Sequence, residues 1–154
     1  MKFLELNSLT KIKLNQIRNL WNNEYPKILN QKSINDLEDY LSNLQDQHHV
    51  LIENKEGEIK GWLFDFVRDN ERWFVLILDS SIQRKGYGKI LIEKAKERNS
   101  TLNGWIIITK DLIKSNGEIY KLPENFYKKE GFKILYDTKI KSDLMTILKI
   151  NWTK

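Results

Sequence analysis

Apolar residues recur along the chain with two different periods. Leu14, Ile17 and Trp21 return at helical spacing behind Thr10, a side chain able to cap a helix start. That helix should stop near Tyr25-Pro26, because the residue before a proline avoids the helical region. Ser33, with Asp36 three positions on, opens a second helix whose apolar stripe is Ile34, Leu37, Leu41 and Leu44. Residues 3–6 form a short strand candidate ahead of both. The period then changes to two. Residues 49–53 and 59–67 read as strands joined through Asn54-Lys55-Glu56-Gly57-Glu58, a hairpin-like connection. After the Asp69-Asn70-Glu71 turn, residues 73–78 are apolar at almost every position, as expected of a central strand buried on both faces. A helix over about 88–98 and a second apolar strand over 105–109 follow. This β-loop-α-β segment implies two parallel strands with a right-handed crossover. Residues 111–121 read as a loop. Pro123 begins a short helix over 124–130 that Gly131 closes, and residues 132–136 and 144–150 supply two last strands.

Length and composition narrow the class. The 154 residues fit one domain, residues 1–154, with no repeat and no linker to divide it. The absence of cysteine excludes disulfides, a thiolate nucleophile and thiolate metal sites. His48 and His49 are neighbours, which point apart in a strand, so metal chemistry is not expected. No apolar run reaches membrane-spanning length, and the start has no secretory signal, so the expected location is the cytoplasm. Charge is divided unevenly. Residues 1–81 carry 10 basic and 13 acidic side chains, whereas residues 82–154 carry 16 and 8. The basic half suits a polyanion or a phosphorylated cofactor. Nucleic acid is the weaker choice, because acidic residues dilute the basic ones and no nucleic-acid motif is present.

The step in charge falls just before Gln83-Arg84-Lys85-Gly86-Tyr87-Gly88-Lys89, between the buried strand and the helix. A helix start offers unpaired N–H groups and partial positive charge to phosphate oxygens, and glycines let the main chain come close. Two nucleotide motifs fail here. The P-loop lacks its first glycine, since Gln83 stands there, and its Ser/Thr, since Ile90 does. The dinucleotide fingerprint meets Leu91 where a small residue is needed. The run instead resembles the Q/R-x-x-G-x-G/A acetyl-CoA loop of GNAT acetyltransferases. Downstream, Asn125-Phe126-Tyr127-Lys128-Lys129-Glu130-Gly131-Phe132 is similar to that family's second signature, a tyrosine-bearing helix ending in Gly-Phe.

The resemblance implies an α/β (α+β) fold. Its sheet is mixed and mostly antiparallel, of six to seven strands, with a central parallel β-loop-α-β unit and about four helices. It implies an N-acetyltransferase using acetyl-CoA as co-substrate, with Gln83, Arg84, Lys85, Gly86, Tyr87, Gly88, Lys89 and Phe126 around the cofactor. The pantetheine arm would bond main chain near Ile77 and Leu78. Tyr127 takes the place of the general acid to the CoA thiolate, and a lowered pKa or a purely hydrogen-bonding role is expected of it. The acceptor amine attacks directly, so no enzyme nucleophile is required.

Two positions depart from the family pattern. Arg72 stands where one branch has a glutamate base, leaving Glu24, Glu71, Asp79 or water as alternatives, and Tyr120 stands where an asparagine is common. These departures keep a CoA-binding sensor without turnover as an alternative. In the family the first two helices wall the acceptor. Glu24, Asp36, Glu38, Asp39 and Asp46 in that region favour a cationic amine, a small molecule or a peptide lysine. The protein is expected as a monomer or homodimer, and the tryptophans as core or groove aromatics.

Overall fold

A computed structural model describes residues 1–154. The chain runs β1 (Lys2–Leu6), α1 (Lys11–Glu24), α2 (Ile34–Ser42), β2 (Gln45–Glu53), β3 (Ile59–Arg68), β4 (Glu71–Leu78), α3 (Tyr87–Arg98), β5 (Thr101–Ile107), α4 (Glu124–Lys129), β6 (Lys133–Lys141) and β7 (Thr146–Thr153). The strands form one sheet in the order β1-β2-β3-β4-β5-β7-β6, antiparallel throughout except between β4 and β5. No helix is long and apolar enough to cross a membrane.

Local chemistry explains the helix ends. The Thr10 side chain accepts from Lys13 N, and the Ser33 side chain from Asp36 N, so each satisfies an orphan donor of its helix. Tyr25, before Pro26, is extended and ends α1. Gly131 has φ 87° and closes the turn after α4. Pro123 stands one position outside α4, as its N-cap.

Strand alternation sorts the core into two layers. Trp62, Phe64, Phe66, Trp73 and Ile77 turn toward α1 and α2, while Leu63 and Phe74 turn toward α3 and α4. Asp65 lies on the second face and is wholly buried. It accepts from Arg72 Nη1 at 3.2 Å and from Arg98 at the end of α3. Arg72 also reaches Asp46 Oδ2 at 2.5 Å.

His49 is equally buried, within a stack of Trp62 and Phe64. Its Nδ1 accepts from the Trp62 indole N–H at 3.0 Å, which leaves the proton on Nε2, 3.0 Å from Gln47 Oε1. Burial pushes its pKa down to about 4, against about 6.5 in an unfolded chain. Between those values the unfolded chain holds a proton that the folded one lacks. Stability should therefore fall as pH drops from 6.5 to 4, by up to about 3 kcal/mol. Urea midpoints across that window test this against His49→Gln, whose profile should be flatter; equally sloped profiles would refute it.

Several strands differ from the sequence expectation. The fifth strand starts at Thr101 rather than at residue 105, because Asn103 and Gly104 disguise its first half. Asn103 donates to Arg72 O at 3.1 Å and accepts from Asn151 at 2.9 Å, and a Cβ on Gly104 would stand 2.9 Å from the Phe74 ring. The last two strands are longer than expected and reach Lys141 and Thr153. In β4, Val75, Leu76 and Leu78 are only half-buried, since an opening runs beside them.

Candidate active site

The opening arises where the two parallel strands part. Their register pairing is confined to Trp73 and Asn103, so β4 and β5 separate beyond it. Asp79 N donates to Lys60 O, and alternation along the ladder therefore turns the peptides of Ile77 and Val75 toward β3. Those of Leu76 and Leu78 face the gap. Of the two strand positions expected to offer main-chain bonds, Leu78 turns its peptide into the gap, whereas Ile77 turns its peptide toward β3 and its side chain into the core.

The glycine loop closes one end of the gap. Asp79 caps a 3-10 turn over Ser80–Ile82, after which Arg84 takes a left-handed φ of 60° and Gly86 one of 90°. None of the main-chain N–H groups of residues 84–89 donates a hydrogen bond within the protein. The side chains of Arg84, Lys85 and Lys89 are exposed around them. Such a free row of amides at the start of a helix, ringed by cations, can receive a multiply charged anion. The neighbouring residues have other parts. Gln83 Nε2 donates to Leu78 O at 2.9 Å and ties the loop to the strand end. Tyr87 packs toward Phe3 of β1, ring centroids 6.4 Å apart. Gly88 is buried, and a Cβ there would lie 3.0 Å from the Phe126 ring and 3.3 Å from Leu78, so its lack of a side chain seats Phe126.

Tyr127 stands across the gap on α4. Its ring packs edge-on against Phe74 and Phe132, with centroids 5.7 and 5.5 Å away. Burial first, and then the neighbouring Tyr120, push its pKa up. A lowered pKa is thus not what this environment produces, and the hydroxyl stays protonated. Tyr120, also pushed up by burial, to about 12, shares the cavity with it.

That cavity, of about 370 Å³, lies on the α1/α2 side and is walled mainly by aromatic and aliphatic side chains, among them Trp21, Tyr25, Tyr40, Trp73 and Trp105. The tip of the β6–β7 hairpin covers it through Leu144 and Met145. No carboxylate and no imidazole lines it.

The acidic residues read as acceptor wall or base lie elsewhere. Glu24 is buried in a cluster, accepting from Ser80 N at 3.0 Å and Ser80 Oγ at 2.8 Å, with Lys114 Nζ at 3.2 Å. Glu71 pairs with Lys149 at 3.2 Å. Asp79 accepts from Ser81 N at 2.9 Å; although burial raises its pKa, the Ser81 hydrogen bonds and the Lys60 charge bring it down overall. Asp46 is engaged by Arg72, and Asp36, Glu38 and Asp39 lie outside the cavity. Arg72 itself belongs to the Asp65 network on the opposite face. The sequence reading missed Tyr25, Tyr40 and Arg68 as cavity residues. Their spacing is that of ordinary amphipathic elements, and only the parting of β4 from β5 gathers them.

Comparisons with known proteins bear on the family and the fold. A model of the acetyltransferase (GNAT) family matches residues 14–111. No curated protein sequence matches the chain. Among solved structures, an aminoglycoside 6'-N-acetyltransferase complexed with coenzyme A superposes with a TM-score of 0.72 at 14% identity, covering 99% of this chain and 97% of that one. A phosphinothricin acetyltransferase from Sinorhizobium meliloti in complex with AcCoA gives 0.66 at 12%, covering 99% and 89%. A spermidine N-acetyltransferase from Vibrio cholerae gives 0.64 at 16%, covering 99% and 95%. At these identities the likeness is one of fold.

Proposed function

Because the chain belongs to the GNAT acetyltransferase family, we propose that it moves an acetyl group from acetyl-CoA to an amine by direct attack, without a covalent enzyme intermediate. The observation that carries this reading is the row of free amides over residues 84–89 at the mouth of the parted strands. Those amides, with Arg84, Lys85 and Lys89, would hold the diphosphate. The main-chain groups of Leu76 and Leu78 would align the pantetheine arm, and Phe126, seated on Gly88, would flank it. Acetyl-CoA supplies a thioester carbonyl that an amine can attack. The amine nitrogen bonds to the carbonyl carbon, the carbon–sulfur bond breaks, and the departing sulfur ends with a proton.

Two protons need handling. At the sulfur, Tyr127 would donate a hydrogen bond. Its pKa is raised above 10, whereas an ordinary thiol titrates near 8.5, so full transfer would be uphill by more than about 2 kcal/mol. Stabilising the thiolate by a hydrogen bond is its better role, and the final proton then comes from water. At the amine, the cavity wall has neither carboxylate nor imidazole and so offers no base. The acceptor therefore reacts as the free amine and gives its surplus proton to solvent.

The experiment is thermal unfolding with CoA and acetyl-CoA. Ligand at about 100 times its dissociation constant adds near 2.7 kcal/mol, which for a domain of this size raises Tm by roughly 5–10 °C. An unchanged Tm at millimolar CoA would remove the proposal.

A further inference from the structure

The cavity wall contains one charged side chain. Arg68, half-buried at the end of β3, holds its guanidinium carbon 5.5 Å from the Phe66 ring centroid and 4.7 Å from that of Trp73. It has no ion-pair partner. Glu71, opposite it in the ladder, is taken by Lys149. Arg68 also stands near enough to Tyr40 to oppose the upward push that burial gives that hydroxyl.

A second observation at the same place is independent of charge. Trp73 is 6% exposed, and its indole N–H has no hydrogen-bond partner. Buried donors in native proteins are nearly always satisfied, so an orphan one beside a ligand cavity marks a place for an acceptor atom. A cation lacking a counterion and a donor lacking an acceptor thus meet at one end of a pocket otherwise walled by aromatic and aliphatic side chains. Both ask for an anion.

The reach of the ligand follows from the strand. Arg68 rests over Trp73, while the acetyl-transfer reading brings the amine to a thioester held along the main chain at Leu76, three residues further along β4. At about 3.3 Å per residue the two points are on the order of 10 Å apart. An α-amino acid, with both groups on one carbon, spans far less. We propose that the acceptor is an elongated primary amine with a carboxylate at its far end and an apolar body between, of the ω-amino acid kind. The carboxylate sits on Arg68 and Trp73 Nε1, the body lies among the aromatic rings, and the amine meets the thioester. Nitrogen gains the acetyl carbon, the carbon–sulfur bond breaks, and the proton lost by the amine reaches the sulfur through water. This rests on the acetyl-transfer reading and contrasts with the cationic acceptor that the acidic residues favoured.

The test compares three acceptors of equal length with acetyl-CoA: 8-aminooctanoate, octylamine and 1,8-diaminooctane. The carboxylated amine should give the highest kcat/KM and the diamine the lowest, about tenfold or more apart, as expected of one charge-assisted hydrogen bond. In Arg68→Gln the ratio of 8-aminooctanoate to octylamine should fall toward one, through KM, and Arg68→Lys should restore part of it. On the unaltered protein, octanoate should compete with the amine where octanol does not, which keeps the proposal testable if the variants fold poorly. A preference for the diamine, a ratio that Arg68→Gln leaves unchanged, or no acetylation of any of the three by a protein whose Tm rises with CoA would each overturn the acceptor assignment alone. No thermal response to CoA would take the acetyl-transfer reading down with it.

Discussion

Asp65→Ala should lower the unfolding free energy by about 3 kcal/mol or more, the range in which removal of one partner of a buried ion pair falls. The carboxylate has no exposed surface and sits between Arg72 and Arg98, with Asn99 Nδ2 at 3.5 Å. Taking it away leaves two guanidinium groups facing each other without their shared counterion. Arg72 retains Asp46, and Arg98 is about a third exposed, so water relieves part of the loss and holds the effect near the lower end of that range. Equilibrium urea unfolding measures it. Combining Asp65→Leu with Arg72→Met should recover stability relative to Asp65→Ala, because only the partly exposed Arg98 is then left without the carboxylate. A loss below 1 kcal/mol in Asp65→Ala would mean that the two arginines hydrate freely and that the network adds little to stability.

Tyr127→Phe should reduce kcat by about a hundredfold, the usual result of deleting one donor aimed at developing negative charge. KM for acetyl-CoA should change little, because the hydroxyl meets the sulfur only as the bond breaks. The substitution keeps the ring and hence its contacts with Phe74, Phe126 and Phe132, so the fold should be unaffected. The direction of the pKa shift adds a second expectation. A tyrosine raised by burial remains protonated through neutral and mildly alkaline pH, so wild type and variant should have pH–rate profiles of the same shape below pH 10, differing in height alone. A decrease smaller than threefold would remove Tyr127 from the chemical step, whereas CoA binding without any turnover, unchanged by Tyr127→Phe, would favour the sensor reading.

The helices were readable because their signals are local. Thr10, Ser33 and Gly131 act within one turn of the chain, and each does what its residue type allows. The glycine loop was readable for the same reason, although Gly88 serves a different end from Gly86. One is required by a left-handed φ, the other by a phenylalanine 38 positions away, and no sequence pattern separates those two causes. Glu24 shows the limit more sharply. Its partners are Ser80 and Lys114, and only the folded chain turns a carboxylate between two helices into part of a buried clamp. Arg68 was hidden in the opposite manner, since a lone arginine at a strand end is ordinary until its lack of a carboxylate partner can be seen.

The place where β4 leaves β5 has a bearing on how the molecule avoids its own kind. Unpaired strand edges on a sheet's rim invite other chains and lead to aggregation. Here the bare peptide groups lie in the middle of the sheet, between strands that stay zipped to neighbours on their far sides. A slender chain of amide and methylene units can thread such a slit, whereas another folded protein cannot reach in. The fold can thus keep reactive backbone open to a small molecule and closed to polymerisation.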